Sequence, residues 1–173
     1  MHSPYPDHAD TLAAWRVLES FVPHQIGTLG ISNTSLPTLQ DLHDSATHKP
    51  AVVQNRFARR ERQWDATTRA WCAARDVKYQ GFWTLTANKA DWQTASYVRA
   101  IAEGACVSLP MAWYALMLAV DIVVLNGTTD AVHMKEDLDG MAKVAVWRQT
   151  PEGSTRFDAS LSEFKRLVRQ THS

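Results

Sequence analysis

Four arginines fall within seven residues, Arg56, Arg59, Arg60 and Arg62, and the large aromatics Phe57, Trp64 and Trp71 recur around them at intervals of seven. A guanidinium donates two parallel hydrogen bonds from a planar fork, which suits phosphate and carboxylate. Aromatic rings beside it can stack on exposed bases or anchor in a partner's pocket. Residues 51–75 contain no Gly or Pro, so the spacing predicts one long helix with Val53, Phe57, Trp64 and Trp71 on one side. On that reading Arg56, Arg59, Arg60, Arg62, Trp64, Arg69 and Trp71 form a contact surface over residues 54–75 for a protein partner or a nucleic acid. The competing arrangement pairs Glu61 and Asp65 with neighbouring arginines at helical spacing, leaving a solvated face.

Asp121 is the second candidate. It interrupts the apolar run from Leu109 to Leu125, close to Trp113 and Tyr114. A carboxylate in an apolar setting has its proton affinity raised and can do acid–base work. A small enzyme or ligand-binding protein with a pocket at Asp121 is therefore the alternative function. Other chemistry is thinly represented. There is no G-x-S-x-G, no phosphate-cradling glycine loop, no G-x-G-x-x-G and no H-E-x-x-H. His43 and His48 share a loop with Asp41 and Asp44, but loop spacing alone builds no metal geometry, so no metal and no cofactor are expected. Two helices around Gly104 could mimic a helix-turn-helix. The second offers Met111, Trp113 and Leu116, which cannot read base edges.

The elements that must position these residues follow from periodicity and caps. Asp10 can open a helix that ends before Pro23. Residues 23–50 are irregular, with Ser35 able to cap a short turn from Leu36 to His43. Val77–Thr86 reads as a strand, with Gly81 marking a bulge or a close approach. A helix from Lys89 to Glu103 follows, and then Ser108 caps another with Pro110 in its first turn. Beyond Leu118 the β-branched Val120, Ile122, Val123 and Val124 favour a strand. Lys143–Gln149 alternates, Pro151–Ser154 reads as a turn, and Thr155–Phe157 can pair back as a hairpin. A last helix is capped at Asp158 or Ser160 and runs to Gln170.

Composition bounds the rest. The chain has 173 residues, enough for one core and tight for two. Net charge is zero, but residues 51–100 hold 9 basic and 4 acidic side chains. That asymmetry speaks to partners rather than to fold. The two cysteines make no disulfide framework and are expected as thiols. The first residues lack the basic and apolar regions of a secretory signal, and no run has the ~20 apolar residues of a membrane span. The sequence thus predicts an α+β fold: a predominantly helical single domain over 10–173 behind a flexible tail at 1–9, with a small antiparallel sheet or hairpin in the C-terminal half. The expected function is a cytoplasmic, non-enzymatic adaptor of bacterial type. It would work with a protein partner or as a homo-oligomer, with nucleic acid as a further possible ligand and no membrane contact.

Overall fold

A computed structural model describes residues 1–169; the side chain of Arg62 and residues 170–173 lie outside the described residues, and with them the expected helix end at Gln170. Four strands form a single sheet in the order β1 (Gly30–Ser32), β2 (Val52–Arg56), β3 (Lys78–Phe82) and β4 (Ile122–Val124). Every neighbouring pair is parallel, with Ile31 opposite Val53, Val53 opposite Tyr79, and Tyr79 opposite Ile122. Parallel neighbours need a crossover, and helices supply it. Here α2 (Leu36–Ser45) links β1 to β2, α3 (Arg62–Ala73) links β2 to β3, and α4 (Lys89–Thr94), α5 (Ser96–Ala105) and α6 (Leu109–Leu118) link β3 to β4. Before the sheet lies α1 (His8–Glu19), and after it α7 (Ala131–Trp147) and α8 (Pro151–Leu167).

This corrects the expected fold class. There is no antiparallel hairpin among the described residues; the C-terminal half is helical apart from β4, which pairs parallel to β3. The segment read as a hairpin is the end of α7 and the start of α8. The apparent turn at Pro151–Ser154 is a helix start: Thr150 accepts from Gly153 N–H, and Pro151 sits where its missing N–H costs nothing. The single long helix expected over 51–75 is also corrected. Val52–Arg56 is a strand, and the helix begins only at Arg62.

Two of the expected caps hold, and two do not: Asp7 caps α1, with Asp10 inside the helix, and Asp158 and Ser160 lie inside α8. Ser35 accepts from Thr38 N–H to open α2, and Ser108 accepts from Met111 N–H to open α6. Gly81 marks a close approach and not a bulge: a Cβ there would lie 3.1 Å from the Phe57 Cβ and 3.2 Å from an Ile122 methyl.

The core lies between one face of the sheet and its helices. Ile31, Val53, Tyr79 and Ile122 are buried there against Leu39, Leu42, Cys72 and Leu116. An aromatic chain then runs outward from the sheet through Phe57, Trp64, Trp113 and Phe164, with ring centroids 5.0, 6.1 and 5.0 Å apart. The other sheet face carries Gln54, Gln80 and Phe82, half-buried, and Lys78 and Val123, exposed. Burial along β2 and β3 alternates residue by residue, as it must when only one face is covered. Among the described residues no single helix is long and apolar enough to cross a membrane.

Candidate active site

All four strands end on the same side of the sheet, and ligands of parallel α/β folds bind beyond those carboxyl ends. The side chains gathered there come from each strand end in turn. Register places Ser32 beside Gln54, Gln54 beside Gln80, and Arg56 beside Phe82, all on the uncovered face. Gln54 donates Nε2–H to Gln80 Oε1 at 3.0 Å, and Ser32 Oγ donates to the Gln54 carbonyl at 2.6 Å. Asn33, in the left-handed region at φ 53°, donates its amide to His2 O at 3.0 Å and to Ser32 Oγ at 3.1 Å. Trp83 is 56 % exposed just past β3, and the Arg56 guanidinium lies 4.2 Å from its ring centre.

Beneath this row a cavity of about 160 Å³ opens among Asn33, Thr34, Asn55, Arg56, Glu61 and Asp65. Arg56 donates to Glu61 at 2.8 Å, while its Nε–H is buried without a partner. A buried donor left unmatched calls for an explanation, and a ligand oxygen is one.

The cavity floor is held by a buried polar network. Asp65 is 2 % exposed and accepts from Asn55 Nδ2 at 2.8 Å, Thr68 Oγ1 at 2.6 Å and the Tyr79 hydroxyl at 3.1 Å. Asn55 in turn clamps the β1–α2 turn: its Oδ1 accepts from Thr34 N–H at 3.0 Å, and its amide donates to Thr34 O at 2.9 Å. Burial, reinforced by the Asp65 charge, holds the Tyr79 phenol well above its ordinary range, so it stays a donor. The network is bought with backbone strain: Gln63, Trp64 and Asp65 are all left-handed, at φ 55°, 67° and 51°. On the far side Asn88 donates to Phe57 O at 2.7 Å and Thr84 O at 2.9 Å, tying the ends of β2 and β3 together.

The expected contact residues are dispersed by this architecture. Trp64 and Trp71 are buried, at 2 % and 9 % exposure, so neither can anchor a partner. Arg69 is buried too and donates to Trp64 O at 2.9 Å and to Val168 O; burial lowers its proton affinity, partly offset by Tyr79 and Asp65. Arg59 is exposed and bridged to Asp91 at 2.7 Å, and Arg60 is exposed. The Arg62 side chain lies outside the described residues. Of the six whose side chains are described, only Arg56 lines the cavity.

Asp121 is placed at the opposite end. It lines an open cavity of about 470 Å³ with Arg69, Cys72, Lys78 and Tyr79, at the amino ends of β3 and β4. The expected companions do not join it. Trp113 is buried and donates Nε1–H to Thr84 O at 3.1 Å, and Tyr114, a buried residue of α6, has its phenol pushed up to about 12 by burial and then by Asp137. Sequence reasoning missed Asn33, Gln54, Asn55, Phe82 and Trp83. For Gln54 and Asn55 the signal was polar side chains directly after a β-branched pair, in Val52-Val53-Gln54-Asn55.

No family model matches the chain, and no curated protein does. Solved structures do. An aldo/keto reductase from Brucella melitensis superposes with a TM-score of 0.72 at 16 % identity, over 94 % of this chain and 58 % of its own. A thermostable aldo-keto reductase solved with the inhibitor epalrestat gives 0.70 at 18 % identity, over 92 % and 58 %. The silkworm (Bombyx mori) aldo-keto reductase complexed with NADPH gives 0.66 at 18 % identity, over 86 % and 52 %. The fold is therefore that of a portion of these TIM-barrel-like α/β enzymes, and the chain spans little more than half the length of each. This overturns the adaptor reading, and with it protein–protein or nucleic-acid contact as the main function. Its helix does not exist as one element, its tryptophans face inward, and the chains that share its fold are enzymes.

Proposed function

We propose that this chain forms part of a carbonyl oxidoreductase and supplies the wall that holds the nicotinamide end of NADPH. The observation that carries this reading is the row of hydrogen-bonding side chains at the carboxyl ends of the strands, Ser32, Asn33, Gln54 and Gln80, bordered by the ring of Phe82. The likeness to an aldo-keto reductase complexed with NADPH supports it.

The donor set fits the group. A carboxamide offers one carbonyl acceptor and one amide donor; Gln54 keeps one amide hydrogen and its own carbonyl for such a pair, and Asn33, whose amide hydrogens are used by His2 and Ser32, keeps its carbonyl as an acceptor. Phe82 gives a flat apolar face for a planar ring. Arg56 Nε–H, buried and without a partner, can donate to an oxygen of a ligand lodged in the 160 Å³ cavity. When bound, NADPH supplies the hydride for carbonyl reduction. This chain's own residues bind and orient: Asn55 and Asp65 fix the turn that carries Asn33, and Glu61 with Trp83 fixes the Arg56 guanidinium. A reducing, cytoplasmic setting accords with the two free thiols, Cys72 and Cys106.

Titrating NADPH while following tryptophan fluorescence tests the reading. Saturable quenching is expected, with Gln54→Ala weakening binding by about 10-fold for one lost amide pair. Wild-type protein that does not respond to NADPH overturns it.

A further inference from the structure

We propose that the carbonyl substrate is a short oxo acid, whose carboxylate docks on one edge of the Arg56 guanidinium. The inference rests on the reading above for where the carbonyl lies, and on Arg56 alone for the anion. A guanidinium carries Nε–H and one Nη2–H side by side along one edge, parallel donors at the spacing of a carboxylate's oxygens. In Arg56 the remaining nitrogen, Nη1, donates to Glu61 at 2.8 Å. The Nε/Nη2 edge is left over. Nε–H is buried without an acceptor, and Nη2 has none among the described residues. Two contacts fix the direction of this edge. Glu61 holds the far end of the group, and its face lies on Trp83, 4.2 Å from the ring centre. Trp83 is itself left-handed, at φ 56°, a backbone that a bulky residue adopts only under constraint.

The surroundings select among acceptors. Arg56 lines a cavity of about 160 Å³, room for the end of a small molecule. A hydroxyl or amide oxygen meets one of the two donors squarely, whereas a carboxylate meets both. Phosphate also matches the fork, but as a dianion it suffers twice the repulsion from Glu61 and Asp65, which line the same cavity. Position ties the anion to the carbonyl. Register sets Arg56 opposite Phe82, on the face that carries Gln54 and Gln80. Arg56 stands two residues beyond Gln54, about 7 Å along the strand. A carboxylate held there leaves the oxo group of a short acid within a few bonds of the ring that Gln54 and Phe82 border. Reduction adds a hydride and a proton to the oxo group and gives a hydroxy acid and NADP⁺; the carboxylate is unchanged.

Arginine Nε–H resonances read this contact directly. In isotope-labelled wild-type protein without cofactor, pyruvate should shift the Arg56 Nε–H peak saturably. Its neutral isostere pyruvamide should bind about 10-fold more weakly or worse. Arg56→Lys keeps the charge and loses the fork, so calorimetry should show pyruvate binding weakened by about 10-fold, with Arg60→Lys on the same loop unchanged. The wild-type resonance decides the matter even where a variant fails to fold. Absence of a saturable shift, equal binding of pyruvate and pyruvamide, tighter binding of inorganic phosphate, or a folded Arg56→Lys that binds pyruvate as wild type does, each overturns the proposal. NADPH is absent throughout. Pyruvate that binds where NADPH does not therefore removes the cofactor reading alone, and NADPH that binds where pyruvate does not removes this one alone.

Discussion

The two ends of the sheet carry carboxylates in opposite circumstances. At the carboxyl end Asp65 is buried and accepts from Asn55, Thr68 and Tyr79, and through Asn55 it shapes the turn that holds Asn33. At the amino end Asp121 is exposed on the rim of a cavity about three times larger. Size and an exposed carboxylate would favour the amino end. Strand direction and an organised donor set favour the carboxyl end, and those are the features that place a reacting group with the tolerance chemistry needs. Buried polar groups that are fully partnered rigidify their surroundings, whereas an exposed carboxylate is free to be solvated.

The contrast can be broken or sharpened by substitution. Trp64→Ala, which empties the aromatic chain behind the carboxyl-end cavity, should cost about 3–5 kcal/mol in a denaturant titration. Asp65→Ala leaves the buried donors of Asn55, Thr68 and Tyr79 without their acceptor and should cost about 3 kcal/mol, at 1–3 for each orphaned group less what relaxation recovers. If Asp65→Ala unfolds no more easily than Asp121→Asn, the two ends do not differ as described.

The amino end should instead show itself through alkali. Burial raises the Cys72 thiol from 9.0 to about 12. The folded state then holds a proton that the unfolded chain releases above pH 9. That stability is fully present below pH 9 and is lost as pH climbs toward 12. Tyr97 and Tyr114 join in only above pH 10. Melting temperature should therefore fall from pH 9 upward, and Cys72→Ala should flatten the earliest part of the fall. The same burial predicts that iodoacetamide near neutral pH modifies the exposed Cys106 and spares Cys72, read as a single mass increment. Smallest of all, Asp121→Asn should change stability by no more than about 0.5 kcal/mol and leave NADPH binding unaltered.

Much of the local structure was legible, because caps and breakers act at short range. Ser35, Ser108 and Pro110 behave as their types dictate, and the β-branched turn after Leu118 is a strand. What failed depends on distant partners. Val53, Phe57, Trp64 and Trp71 repeat at intervals of seven, yet the interval spans a strand, a loop and a helix that merely face one core. Residues 52–56 mix Gln, Asn and Arg into a parallel strand, where an apolar run is the usual sign. Those polar residues are tolerated because one sheet face is uncovered and because Asp65 satisfies Asn55, neither of which is visible locally. The candidate site was illegible for the same reason: Asn33, Gln54 and Phe82 are brought together by register, over separations that no short motif spans.

The order of the strands has a consequence for how the molecule comes into being. Each strand pairs with the one made just before it, so none waits for a segment still to be synthesised. A chain emerging from the ribosome can complete one strand-and-helix unit, dock it and move on, and the nascent edge at any moment is only three to five residues long. Growth by accretion of this kind keeps sticky surface small throughout biogenesis, even for an all-parallel topology that would otherwise be slow to assemble.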